Sequence, residues 1–146
     1  MIRKLNISIF NDLDELSRLA SAVDDFVTAV GVSSDIAFTL NVCFDELITN
    51  TISYGYSDNL IHEIFVGIDF DGQAFHIKIQ DDANPFNVFK DSPKPDLESD
   101  LMERPIGGLG VFFVKQWMNT VSYHRENGYN FVCLEKFLIS PPHPGV

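Results

Sequence analysis

Glu46 and Asn50 stand four positions apart in a stretch where Ile36, Leu40, Cys43, Phe44, Leu47 and Ile48 recur at helical intervals. At about 100° per residue the two lie roughly 40° apart on one edge of the apolar stripe, and Tyr54 continues their line. A carboxylate and an amide stacked one turn apart can hold a divalent cation or polarise a water. Taken alone, a solvated surface Glu beside an amide that bonds a loop fits better. A second signal is Ile77-Lys78-Ile79-Gln80 running straight into Asp81-Asp82-Ala83-Asn84-Pro85-Phe86. An Asp at the end of a strand can accept a hydrogen bond from a ligand amino group, although turn formation broken off by Pro85 accounts for the same residues without a ligand. The third is Gly107-Gly108-Leu109-Gly110 just before a helical run, where glycines let backbone approach an anion and a helix start offers free N–H groups. It is neither the P-loop nor the dinucleotide fingerprint, since it lacks GK[ST] and does not follow a strand within a βαβ unit. A flexible hinge has the same composition.

These residues need elements to hold them. Residues 4–10 alternate Leu5, Ile7 and Ile9 with Asn6 and Ser8, the period of a half-buried strand. Asn11 or Asp12 then caps a helix carrying Leu13, Leu16, Leu19, Val23, Phe26 and Val30, which Gly31 ends. Ser33 or Ser34 caps the helix of Glu46 and Asn50, which stops at Gly55. Residues 62–69 and 75–80 read as strands joined by a hairpin at Asp71-Gly72. Over 81–104 periodicity vanishes, and Pro85, Pro93 and Pro95 among many acidic residues predict an irregular loop that cannot be a buried core element. Val111, Phe112, Val114, Trp117 and Met118 return to helical spacing, and 121–125 and 130–138 close the chain as strands turning at Asn127-Gly128. Helices that must share one face of such a sheet predict a two-layer α/β sandwich of the α+β kind, on a mixed or mostly antiparallel sheet. The expectation is one domain over 1–139 with a flexible tail at 140–146.

Composition removes several functions. The chain has 146 residues, 45% apolar and 21% charged with 13 Phe, which suits one globular core. Ten basic against 21 acidic side chains leave a formal charge of −11, the wrong sign for nucleic acid. No apolar run reaches the roughly 18 residues of a membrane helix, and the alternating start is too short for a signal peptide. Cys43 and Cys133, far apart and without metal-ligand spacing, read as buried reduced thiols of a cytoplasmic protein.

In their joint order, Glu46-x-x-x-Asn50, Asp81 after a strand, a long loop and then the glycine run, the chain resembles the Bergerat-type ATP site shared by gyrase, histidine kinases and MutL. It is most similar to the anti-sigma factor serine/threonine kinases, the RsbW- and SpoIIAB-like branch, over about residues 5–138. The marks are Asp45-Glu46-Leu47-Ile48-Thr49-Asn50 with Tyr54-Gly55, the Asp81 to Phe86 run, the stretch 106–113, and Val121-Ser122-Tyr123 followed by Gly128. Lacking dimerisation-phosphotransfer helices, the chain suits this branch better than a sensor kinase.

The resemblance implies ATP and Mg²⁺ as cofactors, with Asn50 as the Mg²⁺ ligand, Glu46 as the general base and Asp81 as the acceptor for the adenine amino group. Ala83, Phe86 and Asn130 would border the base. Gly107, Gly108, Leu109 and Gly110 would shape the end of a lid, 82–106, over the phosphates, and Arg104 would touch the terminal phosphate. It further implies a STAS-type antagonist phosphorylated on serine, a sigma factor as the competing partner, and a homodimer. Two residues depart from the family pattern: Ala83 stands where Gly is usual, so a methyl faces the adenine pocket, and Asn130 stands where a Thr often supports the Asp. These favour an alternative, a sequestering module of the same fold with weak or no nucleotide binding; Glu46 and Asn50 favour the kinase, because a pure binder needs no base.

Overall fold

The two periods in the sequence become strands and helices close to their expected places. A computed structural model describes residues 3–92 and 109–138. In chain order the elements are β1 (Arg3–Phe10), a 3₁₀ turn (Leu13–Glu15), α1 (Leu16–Ala29), α2 (Ser34–Tyr54), β2 (Glu63–Phe70), β3 (Ala74–Asp81), α3 (Val88–Asp91), α4 (Leu109–Trp117), β4 (Thr120–Glu126) and β5 (Tyr129–Phe137). Ser33 caps α2 by accepting from the Asp35 N–H at 3.2 Å. Asp12 caps the 3₁₀ turn rather than α1, which therefore starts one turn later than its capping signal.

The sheet has the order β1-β2-β3-β5-β4, with every neighbouring pair antiparallel. Two helices separate β1 from β2 in the chain, yet Asn11 fastens their ends: its N–H donates to the His62 carbonyl at 3.0 Å, and its Oδ1 accepts from the His62 N–H at 2.9 Å. At the β2–β3 turn Asp71 Oδ1 accepts from the Gln73 and Ala74 N–H groups. Asn127 and Gly128 both have positive φ, 52° and 85°, as a two-residue hairpin loop of the primed type requires.

One face of the sheet presents Ile9, Ile64, Val66, Ile68, Phe75, Ile77, Ile79 and Leu134 to Leu19, Val23 and Val27 of α1 and Leu40, Phe44 and Ile48 of α2. Each such side chain stabilises the fold by about 1.5–3 kcal/mol on burial. This burial packs α2 against the sheet and leaves Glu46 and Asn50 on one cavity with Asp81 at the end of β3.

Two expectations are corrected. The stretch 81–104 is not wholly irregular, because α3 forms within it, and Val88 is buried in the main core. Asn87 starts that turn by accepting from the Phe89 and Lys90 N–H groups; one turn is too short to leave a period in the sequence. Of the two thiols only Cys43 is buried, and burial pushes its pKa up to about 11; Cys133 is half-buried, since alternation in β5 turns it to the other face of the sheet from Leu134. The second part of the expected lid, with Arg104, Gly107 and Gly108, and the expected tail lie outside the described residues. No helix among the described residues is long and apolar enough to cross a membrane.

Leu40 is fully buried under the sheet, whereas Phe38 on the same helix is 68% exposed. Leu40→Ala should therefore lower the unfolding free energy by about 2–5 kcal/mol in urea titrations. Phe38→Ala should change it by only about 0.5 kcal/mol in either direction.

Candidate functional site

On α2 the predicted pair meets directly, with Asn50 Nδ2 donating to Glu46 Oε1 at 3.2 Å. Both side chains are half-buried. Asn50 Oδ1 accepts no hydrogen bond among the described residues, so an amide oxygen and a carboxylate remain for a hard cation or a polarised water. Gly110, in the first turn of α4, lies so close to Glu46 that a Cβ there would overlap its carboxyl group. With glycine at this position the start of α4 comes up against the Glu46 carboxyl in its present rotamer, which a side chain at 110 would have to displace.

At the end of β3, Asp81 is only 4% exposed. Its Oδ1 accepts from Asn130 Nδ2 at 2.9 Å and from the Ala83 N–H at 3.0 Å, and Oδ2 has no protein donor among the described residues. Burial raises the Asp81 carboxyl pKa, and the Asn130 and Ala83 donors oppose that shift. Asn130, directly opposite in the β3–β5 register, also bonds the Ala83 and Asn84 carbonyls at 3.2 and 3.0 Å. Its own Oδ1 accepts from Tyr123 Oη at 2.6 Å and Arg125 Nη1 at 2.9 Å, and Arg125 Nη1 lies 3.0 Å from the Ala83 carbonyl as well. The amide at 130 thus does hold the Asp, with an Arg and a Tyr from β4 behind it.

Glu46, Asn50, Asp81, Ala83, Phe86 and Asn130 all line one cavity of about 580 Å³ between α2 and the ends of β3 and β5. Between the polar groups it is lined by the apolar Leu47, Ile79 and Val132. Ala83 is buried with its methyl against Gly55, which has no Cβ to oppose it. Leu109 begins α4, but Arg104, Gly107 and Gly108 are not among the described residues. Sequence reasoning quoted Asn84 and Tyr123 among the family marks without giving them a role, and missed Arg125. Tyr123 and Arg125 sit at alternate positions of β4, a period-2 signal that says which face they share but not which buried amide they meet.

Asn130→Ala should take one donor from the buried Asp81 carboxylate, which keeps the Ala83 N–H, and one acceptor from half-buried Tyr123, while exposed Arg125 keeps the Ala83 and Gly128 carbonyls. Losing the donor to a buried carboxylate costs roughly 1–3 kcal/mol, so a loss of about that size is expected in denaturant unfolding without any ligand present. A neutral result would mean that the network does not carry the site.

Residues 9–136 match the family model described as the histidine kinase-like ATPase domain. The chain is 24% identical over 102 residues to the serine/threonine-protein kinase BtrW of Bordetella bronchiseptica, covering 70% of this chain and 71% of that protein. Its fold is similar to that in the crystal structure of the RsbU and RsbW domains of Rv1364c from Mycobacterium tuberculosis, with a TM-score of 0.64 at 11% identity over 95% of this chain. The chain spans 33% of that longer one. The family match runs from β1 into β5 and takes in α2, the end of β3 and the start of α4, so the chain belongs to the histidine kinase-like ATPase domain family.

Proposed function

We propose that the chain is an anti-sigma factor serine/threonine protein kinase, which binds Mg-ATP and phosphorylates a serine on a STAS-type antagonist. The observation that carries this reading is the gathering of Glu46, Asn50 and Asp81 around one cavity, with Gly110 of α4 against the Glu46 carboxyl. The similarity to BtrW, itself named a serine/threonine-protein kinase, supports the reaction class. In this reading the adenine amino group donates to Asp81 Oδ2, since Oδ1 is already taken by two donors. Ile79, Val132 and Phe86 flank the ring, and the phosphates extend toward Asn50 and α4.

The free Asn50 amide oxygen suits Mg²⁺, which keeps several waters and takes few protein ligands; no cluster of three or more His, Cys, Asp or Glu fit for a metal occurs among the described residues. When bound it would supply charge neutralisation across the phosphates. Glu46 accepts the proton of the attacking serine hydroxyl as the serine oxygen bonds the γ-phosphorus, and the bond to the β–γ bridging oxygen breaks to release ADP. Arg104 would touch the terminal phosphate, and Gly107, Gly108 and Gly110 would shape the end of the lid, 82–106, over the phosphates.

The partners in this reading are the antagonist, a sigma factor that competes with it, and a second copy of the chain, all in the cytoplasm. One domain over 1–139 carries every role. The alternative is a module that sequesters its partner without nucleotide. What favours the kinase is Glu46, whose carboxylate at a glycine-cleared helix start has no use in a pure binder.

Two measurements decide. Mg-ATP at about 100 times its dissociation constant should stabilise the fold by roughly 2.7 kcal/mol, a melting shift on the order of 5–10 °C. No shift at millimolar Mg-ATP would leave the sequestering module. Separately, Glu46→Ala should keep nucleotide binding but slow phosphoryl transfer to the antagonist by about 10²–10⁴-fold. Asn50→Ala should weaken Mg-dependent binding itself. Identical phenotypes for the two would refute the division between base and metal ligand.

A further inference from the structure

His62, at the end of the loop between α2 and β2, has a carboxylate on each ring nitrogen. Nδ1 lies 3.0 Å from Asp82 Oδ2, and Nε2 lies 2.7 Å from Asp58 Oδ1. A neutral imidazole has one N–H and one bare nitrogen, and an ionised carboxylate only accepts. Both contacts are therefore satisfied together only by the imidazolium. The ring is stacked on Tyr56 with centroids 4.3 Å apart, and the His62 side chain is 16% exposed. The charges that face it are Asp58 from its own loop and Asp82 from the end of β3; Asn11 from the end of β1 meets only its backbone.

Asp82 follows Asp81 and precedes Ala83 and Asn84, the residues bonded to Asn130. The same loop is stitched to this segment twice more: the Asn84 N–H donates to the Gly55 carbonyl at 2.8 Å, and Asn84 Nδ2 donates to Ser57 Oγ at 2.7 Å. Of these three ties, only the one through His62 carries charge.

We infer that His62, as an imidazolium shared by Asp58 and Asp82, is a positioning residue of the nucleotide site, which clamps the 55–62 loop onto residues 82–84 and makes adenine-nucleotide affinity fall as pH rises. This rests on the proposed reading of the cavity as an ATP site. The direction follows from linkage. Hydrogen bonds to Asp82 and Asp58 hold the His62 pKa above its ordinary value. The clamp is therefore complete below about pH 6.5 and is lost as pH rises through the folded-state pKa.

The experiment is calorimetric titration of the full chain with Mg-ATP from pH 7 to 9.5, a range in which a terminal phosphate with a pKa near 6 stays ionised. For the wild type the dissociation constant should rise by up to about tenfold per pH unit across the imidazolium pKa, the limit for one linked proton. His62→Gln keeps one donor but no charge, and should bind more weakly at pH 7 with a flat profile. Asp58→Asn keeps the ring and removes one carboxylate, so the fall should move to lower pH. Urea unfolding at pH 7 checks that each variant is folded. His76→Gln is the control, because His76 also joins two carboxylates, Asp71 and Glu135, but does so at the opposite end of β3; its profile should match the wild type. Binding whose pH slope is the same in wild type and His62→Gln overturns this inference and leaves the ATP site standing. No binding of Mg-ATP by the wild type at any pH overturns the reading beneath it, and the inference with it.

Discussion

A carboxylate buried at the end of a central strand is the constraint from which the rest of the site follows. An isolated ionised group in such a place is strongly disfavoured, and it persists only when donors surround it. Asp81 has them because β3 and β5 pair in a register that sets Asn130 opposite it. Asn130 can serve because its own carbonyl is held by Tyr123 and Arg125, so every polar atom of the amide is used. The network fills Oδ1 and leaves Oδ2, turning an unfavourable burial into a single preset acceptor. Three strands must be in register for this, so the acceptor is as rigid as the sheet.

The opposite wall depends on what two glycines leave out. At Gly55 the chain leaves α2 against Ala83, and at Gly110 the start of α4 comes down on Glu46. A side chain at Gly55 would meet the Thr51 carbonyl and the Ala83 methyl, and one at Gly110 would displace the Glu46 carboxyl. The Ala83 methyl, which by the family resemblance would face an adenine pocket, both lines the cavity and packs over the bare Cα of Gly55.

Much of this was legible from spacing. Period-2 alternation in β1 and the closing strands, 3.6-residue periodicity in α1 and α2, and the Asn127-Gly128 turn each encode local geometry, and each element formed within a few residues of its expected limits. Glu46 and Asn50 could be placed on one helix edge for the same reason. What could not be read was the join between distant segments. Asn130 and Asp81 are 49 residues apart, and nothing local says that the amide meets that carboxylate rather than solvent. The single turn of α3 was hidden because four residues hold no period, although Asn87 before an apolar pair was a capping signal in plain view. The His62 clamp was hidden likewise, since its three members come from a loop and a strand end that only the folded sheet brings together.

The sign of the cavity's charge limits how a nucleotide could enter it. Two of its lining residues, Glu46 and Asp81, are carboxylic acids, and no Lys or Arg lines it among the described residues. The chain as a whole is at −11. A triphosphate brought there without a counter-charge would meet repulsion from Glu46, which Coulomb's law puts at about 4 kcal/mol per charge pair 4 Å apart near a protein surface. The neutral adenine feels no such penalty at Asp81, where an acceptor is wanted. In the proposed ATP site the two carboxylates would sort the ligand by polarity, with the base at the strand ends and a divalent cation screening the phosphates from Glu46. In the proposed kinase the metal would thus serve phosphate binding as well as transfer, with Glu46 beside the reacting group.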